Sequence, residues 1–356
     1  MEIVLSGIRP TGNLHMGNYF GAVRNFVKMQ HEYKCFFFIA DLHSLTTHPT
    51  PSDLHGNVRK VLAEYLACGL DPEAATIYIQ SDVPEISELY LLLNMNAYVG
   101  ELQRTTTFKE KVRLQPDNVN AGLLTYPVLM ATDILIHKAN KVPVGKDQKP
   151  HLEITAKYAR RFNQMYKVEY FPEPEAFNFG KDLVKVPGLD GSGKMGKSEG
   201  NGIFLIDEPN VIRKKVMSAV TDTGPTRESS LLSDSVRSEE TGSILNKIVR
   251  ESLIESPKMS EGVANLFTIM RIVSSSDTVD YFMEKYNNYD IRYGDMKKQL
   301  AEDIVNYLTP IRERIQDIYA NNEYLKKVVK MGTEKARASA SKTLQEVRKI
   351  IGFKSF

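Results

Sequence analysis

Ser6-Gly7-Ile8-Arg9-Pro10-Thr11-Gly12-Asn13-Leu14-His15-Met16-Gly17-Asn18 follows at once on the apolar run Ile3-Val4-Leu5. Gly7, Gly12 and Gly17 permit positive φ or close approach of the backbone to a ligand, Pro10 stiffens the turn, and His15 and Asn18 bring two neutral donors to a helix start. From Tyr19 the pattern turns helical, with Phe20, Val23, Phe26 and Val27 on one face. Strand, glycine turn and helix open a doubly wound α/β domain, in which the turn is either a phosphate cradle or an ordinary βα connection.

The chain continues in that alternation. Cys35-Phe36-Phe37-Phe38-Ile39-Ala40 is a continuous apolar run, the pattern of a strand buried on both faces. It ends at Asp41 and His43, which stand either in the ligand crevice at the carboxyl edge of the sheet or as a helix cap and a loop histidine. A helix is predicted over 52–68, capped by Ser52 or Asp53, then a strand at Ile77-Tyr78-Ile79 and a helix from Pro84 to Val99. Glu101 to Asn120 mixes charges of both signs and reads as a surface connection. Pro127 is placed as the first residue of a further helix. Along it Tyr126, Met130, Asp133 and His137 fall at i, i+4, i+7 and i+11, one stripe with a single carboxylate among apolar neighbours. That stripe is either a core face or a seat for a flat apolar ligand carrying one N–H or O–H. Lys141 to Val144 reads as a strand with 145–148 as its exit loop, and Lys149 to Tyr166 as a helix.

Downstream, Val186 to Asn201 surrounds Lys194, Lys197 and Ser198 with glycines, and beyond it the pattern is almost wholly helical. The change marks a domain boundary near 188. Three parts are expected: an α/β domain over 1–188, a helical domain over 189–292, and basic helices over 293–356 packing back toward the first. The last part carries nine basic residues between Lys326 and Lys354 against Glu334 and Glu346, a face suited to a polyanion such as RNA or simply to solvent.

Composition narrows the class. At 356 residues, 42% hydrophobic and 25% charged, the chain is long enough for two domains, and no apolar run approaches the roughly 20 residues that span a bilayer. The N-terminus lacks a signal-peptide pattern, so a cytoplasmic protein is expected. Two cysteines, Cys35 and Cys68, are too few for a cysteine-ligated zinc or iron–sulfur centre.

His15-Met16-Gly17-Asn18 resembles the HIGH motif and Lys194-Met195-Gly196-Lys197-Ser198 the KMSKS motif of class I aminoacyl-tRNA synthetases. Their order and the helical part that follows are similar to the Tyr/Trp subgroup. Within it, the stretches 6–19, 122–135 and 142–148 resemble the tryptophanyl branch. The resemblance implies a Rossmann-like parallel sheet with a C-terminal helical domain that binds the anticodon. It implies activation of L-tryptophan with ATP and Mg²⁺, then transfer to tRNA(Trp), in a homodimer. By the same resemblance His15, Asn18, Lys194, Lys197 and Ser198 act on the ATP phosphates, and Arg9, Gly17, Gly145, Asp147 and Met195 surround ATP, Asp147 at its ribose. Asp133 is assigned to the indole N–H, Met130, Val142 and Val144 to the ring pocket, Tyr126 and Gln148 to the α-ammonium, and Asp41 and His43 to the same substrate site. Three residues depart from the pattern: Gly196 replaces the middle serine of KMSKS, Arg9 stands where many relatives carry glutamine, and Lys146 occupies an often acidic position. A tyrosyl enzyme, a small nucleotidylyltransferase and a non-charging synthetase-like paralogue are the competing readings.

Overall fold

A computed structural model describes residues 2–143, 149–177, 185–196, 199–224 and 259–353. Five strands, β1 (Ile3–Ile8), β2 (Lys34–Ile39), β3 (Thr76–Ile79), β4 (Lys141–Val142) and β5 (Glu175–Ala176), form one parallel sheet in the order β3-β2-β1-β4-β5. β1 lies beside β2 in register from Ile3 opposite Lys34 to Ile8 opposite Ile39. Reversal of strand order about β1 opens a crevice at the carboxyl edge, where the chain leaves β1 and β4 in opposite directions. Cys35 to Ile39 are all buried, as a strand covered by helices on both faces requires. The expected Rossmann-like α/β architecture is the one observed.

Several local expectations are corrected. The first helix begins at Met16, and Tyr19–Val23 form a π-helical turn before α1 (Arg24–Met29). Helix α2 (Pro51–Ala67) is capped by Thr50, whose hydroxyl accepts from the Asp53 N–H at 3.2 Å; Ser52 and Asp53 already lie inside its first turn. The helix expected to run to Val99 ends as α3 (Glu85–Asn94), with a separate turn at Val99–Leu102. The mixed-charge stretch taken for a connection contains α4 (Thr106–Leu114), capped by Thr105. Pro127 is an interior residue of α5 (Ala121–Ile136), which starts instead from the Asn120 cap; the proline forgoes one helical hydrogen bond there. Helix α6 (Lys149–Tyr166) matches its predicted span.

The chain forms two compact units, one comprising residues 1–184, 204–206 and 311–356 and the other 185–203 and 207–310. The second holds α7 (Pro209–Met217), α8 (Glu261–Val273), α9 (Ser276–Asn287) and most of α10 (Tyr293–Ala320). The second unit begins at 185 and ends at 310, inside α10.

Helix α11 (Asn322–Ile351) belongs to the first unit and packs on β3, α3 and α5, burying Ala336, Ala340, Leu344 and Val347 in the sheet core. Part of its positive charge serves this packing: Arg337 pairs with Glu85 at 3.1 Å, Arg348 with Glu88, and Lys335 donates to the Pro72 carbonyl. Lys327, Lys330, Lys342 and Lys349 remain exposed.

His137, at the end of the stripe on α5, is a core residue. Its Nε2 lies 3.0 Å from the Tyr78 hydroxyl and its Nδ1 3.1 Å from Ser339 Oγ on α11, and the ring stacks on Phe36. Burial pushes its pKa down to about 3 from the ordinary 6.5. Between those values the unfolded chain holds a proton there that the folded chain does not, so this group's contribution is complete above pH 6.5 and is lost as pH falls toward 3. The unfolding free energy from urea titrations is expected to drop on acidification across that window, by up to about 1.4 kcal/mol per pH unit from this group. In His137→Phe the same titration should be flatter; an unchanged slope would remove His137 from the account.

Candidate active site

The loop after β1 is held from below and from the side. Both carboxylate oxygens of Glu64, a residue of α2 that is 1% exposed, accept the Leu14 N–H at 3.0 Å. The His15 N–H donates to Asn18 Oδ1 at 3.2 Å and the Asn18 N–H to the His15 carbonyl at 2.9 Å, closing a reciprocal cap. With its oxygen used in the cap, Asn18 keeps its amide N–H groups for a ligand. Residues 204–206 return to the first unit and pair with this loop: the Leu205 N–H donates to the Leu14 carbonyl at 2.9 Å, and Phe204 meets the His15 ring edge-on at 6.5 Å. Glu64 and Phe204 carry no local motif, and the sequence reading missed both.

Three elements converge on Asp133, which is 1% exposed. His43, on the turn leaving β2, reaches Asp133 Oδ2 through Nε2 at 2.8 Å. Gln80, on the turn leaving β3 and absent from the sequence reading, donates from Nε2 to Asp133 Oδ1 at 2.7 Å. Burial raises the Asp133 pKa, against which the hydrogen bonds from His43 and Gln80 pull it back toward the carboxylate. Asp41 accepts the Ser81 N–H at 3.0 Å and the Ser81 hydroxyl, so it ties the two exit turns together. Tyr126 meets His43 edge-on at 4.6 Å, and its hydroxyl is pushed up by burial. Met130 is half-buried against the sheet core and Val142 is fully within it. Tyr126, His43 and Asp133 thus form a continuous edge of the crevice.

Lys111 of α4 places Nζ 4.0 Å above the Tyr126 ring. Burial, with repulsion from Arg9, brings its pKa down to about 8. Two cations crowded beside an aromatic site favour an anion between them. Lys111 escaped the sequence reading because its helix was taken for a connection.

The lysine loop is organised within the second unit. The Met195 N–H donates to the Val186 carbonyl at 3.0 Å, and buried Asn201 donates to Asp190, Ser192 and the Lys194 carbonyl while accepting the Gly196 N–H at 2.9 Å. Met195 is 1% exposed and anchors this loop in its own unit, whereas the Lys194 side chain is exposed. A Cβ at Gly196 would come within 1.8 Å of a Glu199 carboxylate oxygen, so the serine usual at this position would require Glu199 to turn away. Val144, Gly145, Lys146, Asp147, Gln148, Lys197 and Ser198 lie outside the described residues. No group of three His, Cys, Asp or Glu side chains placed to hold a metal occurs among the described residues. Burial pushes the Cys35 thiol up to about 12, which leaves it unreactive. Among the described residues, no helix is long and apolar enough to cross a membrane.

The family described as tRNA synthetases class I (W and Y) matches residues 2–309. The chain belongs to this family. Within the class I synthetases it is 61% identical over 354 residues to a tryptophan--tRNA ligase of Porphyromonas gingivalis, covering 99% of this chain and 100% of that protein. A tryptophan--tRNA ligase of Clostridium perfringens is 39% identical over 355 residues, covering 99% and 97%. Among solved structures, a tryptophanyl-tRNA synthetase of Campylobacter jejuni complexed with ADP and tryptophan superposes with a TM-score of 0.82 at 32% identity, covering 99% of this chain and 100% of that one.

Proposed function

We propose that the chain is a tryptophan--tRNA ligase in which Asp133 receives the indole N–H and the histidine and lysine loops act on ATP. The observation that carries this reading is the buried Asp133 carboxylate, bonded by His43 and Gln80 on the edge formed with Tyr126. A donor-only heterocycle fits an acceptor-only group in an apolar setting.

In the first step a tryptophan carboxylate oxygen attacks the α-phosphorus of ATP, forming tryptophanyl-adenylate and releasing pyrophosphate. Little covalent work falls to the protein, and its levers are positioning and stabilisation of charge. His15 and Asn18 hold phosphate oxygens from a loop fixed by Glu64, while Lys194, Lys197 and Ser198 approach the leaving pyrophosphate. Mg²⁺ arriving with ATP would neutralise part of that charge. Tyr126 and Gln148 take the α-ammonium, Met130, Val142 and Val144 the ring, and Arg9, Gly17, Gly145 and Asp147 the nucleotide side, while buried Met195, expected there from the resemblance, holds the lysine loop instead. In the second step a ribose hydroxyl at the tRNA(Trp) 3′ end attacks the activated carbonyl and AMP leaves. The helical unit over 185–203 and 207–310 is the proposed anticodon-binding part, and the exposed lysines of α11 a further contact with the tRNA backbone. Leu91, Met95, Tyr98 and Val99 are each more than half exposed along and just after α3, which supports a homodimer through that face in a cytoplasmic enzyme.

Exchange of labelled pyrophosphate into ATP, measured with each of the twenty amino acids, tests the reading: exchange with tryptophan alone is expected, and exchange with tyrosine, with none, or without an amino acid would each select a rival. Lys111 adds a pH signature. It binds phosphate only while protonated, so the KM for ATP is expected to rise as pH passes through about 8. Lys111→Met should raise that KM about tenfold and abolish its rise.

A further inference from the structure

We propose that Gln80 is a specificity-positioning residue for tryptophan: its amide fixes the Asp133 carboxylate as the acceptor for the indole N–H. This rests on Asp133 being the indole partner.

Gln80 is fully buried, at 0% exposure, in the turn that leaves β3. A buried amide needs partners, and the one hydrogen bond its side chain makes among the described residues goes to Asp133 Oδ1; its own Oε1 is buried without a partner there. The backbone around it is pinned independently of Asp133. The Gln80 carbonyl accepts the Val83 N–H at 3.1 Å, and the next residue, Ser81, is bonded twice to Asp41. Gln80 therefore brings the rigidity of the sheet edge to a carboxylate carried on α5. His43 contributes the second bond from the β2 exit, but it also packs against Tyr126. Two oxygens offer about four acceptor positions, and the two bonds from the protein leave room for an indole N–H in a fixed direction.

The chemistry also depends on the proton. A protonated Asp133 would present an O–H donor to an indole that can only donate. The groups facing it are His43 and Asp41 from the β2 exit, Gln80 and Tyr78 from β3 and its turn, and Tyr126 from its own helix with His151 of α6 beyond that ring. Burial and the Asp41 charge favour protonation, whereas His43 and Gln80 oppose it. Gln80 is neutral across the working range, so its donation does not fade with pH.

The test uses the full-length enzyme in pyrophosphate exchange with L-tryptophan and with its benzothiophene analogue, in which sulfur replaces the N–H. Gln80→Met, of similar volume and without donors, is expected to lose about 10–100-fold in kcat/KM for tryptophan and a similar factor in discrimination against the analogue. The KM for ATP should change less than about twofold, and the acid limb of the tryptophan profile should move to higher pH. A residue that merely filled space would leave that limb in place. Discrimination lost in Asp133→Ala but kept in Gln80→Met, with an unmoved acid limb, overturns the proposal alone. Discrimination that survives Asp133→Ala, which has no side-chain acceptor, overturns the indole assignment and this proposal with it. If Gln80→Met does not fold, Gln80→Glu keeps volume and reach. It places a second carboxyl against Asp133, so the acid limb is again expected to rise, and an unchanged profile would count against the proposal.

Discussion

Gly332→Ala is expected to yield a chain that unfolds at markedly lower urea, and Gly332→Val one that fails to accumulate as folded protein. A Cβ at Gly332 would lie 1.6 Å from the Ile77 carbonyl oxygen of β3 and 2.7 Å from its carbon. The obstruction is backbone within a paired strand, so no rotamer can relieve it; α11 must withdraw and open the contacts of Ala336 and Ala340. Overpacking of this kind costs at least about 1–3 kcal/mol, and separation of the helix adds lost burial, against a total stability of about 5–15 kcal/mol. Glycine inside a helix is itself unfavourable by roughly 1 kcal/mol, a cost that close approach to β3 offsets. Gly294, exposed near the start of α10 with nothing within 4 Å of its Cβ position, is the control. Gly294→Ala should leave the urea midpoint unchanged or raise it, and equal losses at both positions would refute the steric account.

The second large effect is functional. Asp133→Ala is expected to lower kcat/KM for tryptophan by about 10²–10⁴-fold while the KM for ATP moves little. On the proposed assignment the variant removes the acceptor for the indole N–H, and it strands the buried donors of His43 and Gln80, each loss being about 1–3 kcal/mol. Selectivity over amino acids without a ring N–H should fall with it, because sites built to hold a polar hydrogen reject analogues lacking it by about 10⁴–10⁵, as tyrosyl synthetases reject phenylalanine. Matching losses for tryptophan and ATP, together with a lowered melting temperature, would instead indicate collapse of the three-element junction.

Much of this site is legible in the sequence, and the illegible part has a common cause. The strands at 35–40 and 77–79 announce themselves because an interior parallel strand is apolar on both faces. Asp133 stands out because a carboxylate in an apolar helical stripe needs a partner. Its partners do not stand out: Gln80 and His43 are 53 and 90 residues away, and Glu64 is 50 residues from Leu14. No local pattern marks a buried glutamine or glutamate as a support. Lys111 was hidden by mixed charge, since α4 is polar enough to resemble a loop. Pro127 misled because proline favours the first helical turn, and here the helix tolerates one missing hydrogen bond for the sake of a longer α5. The stripe itself proved divided: Asp133 and Tyr126 face the crevice groups, while His137 is sealed between Tyr78, Ser339 and Phe36.

The contact between Gly332 and Ile77 also orders events during synthesis. β3 is complete long before its covering helix exists, because 255 residues separate the two positions, as 332 − 77 shows. At about 5–20 residues per second the ribosome needs on the order of 13–50 s to cross that gap. Throughout that interval the face of β3 that α11 will cover lies bare in the nascent chain, an apolar surface open to chaperones and to self-association. Ribosomes that stop before Gly332 therefore release a sheet that lacks this cover. The first compact unit is thus finished last, although it also begins the chain, and a truncated product is exposed to proteolysis.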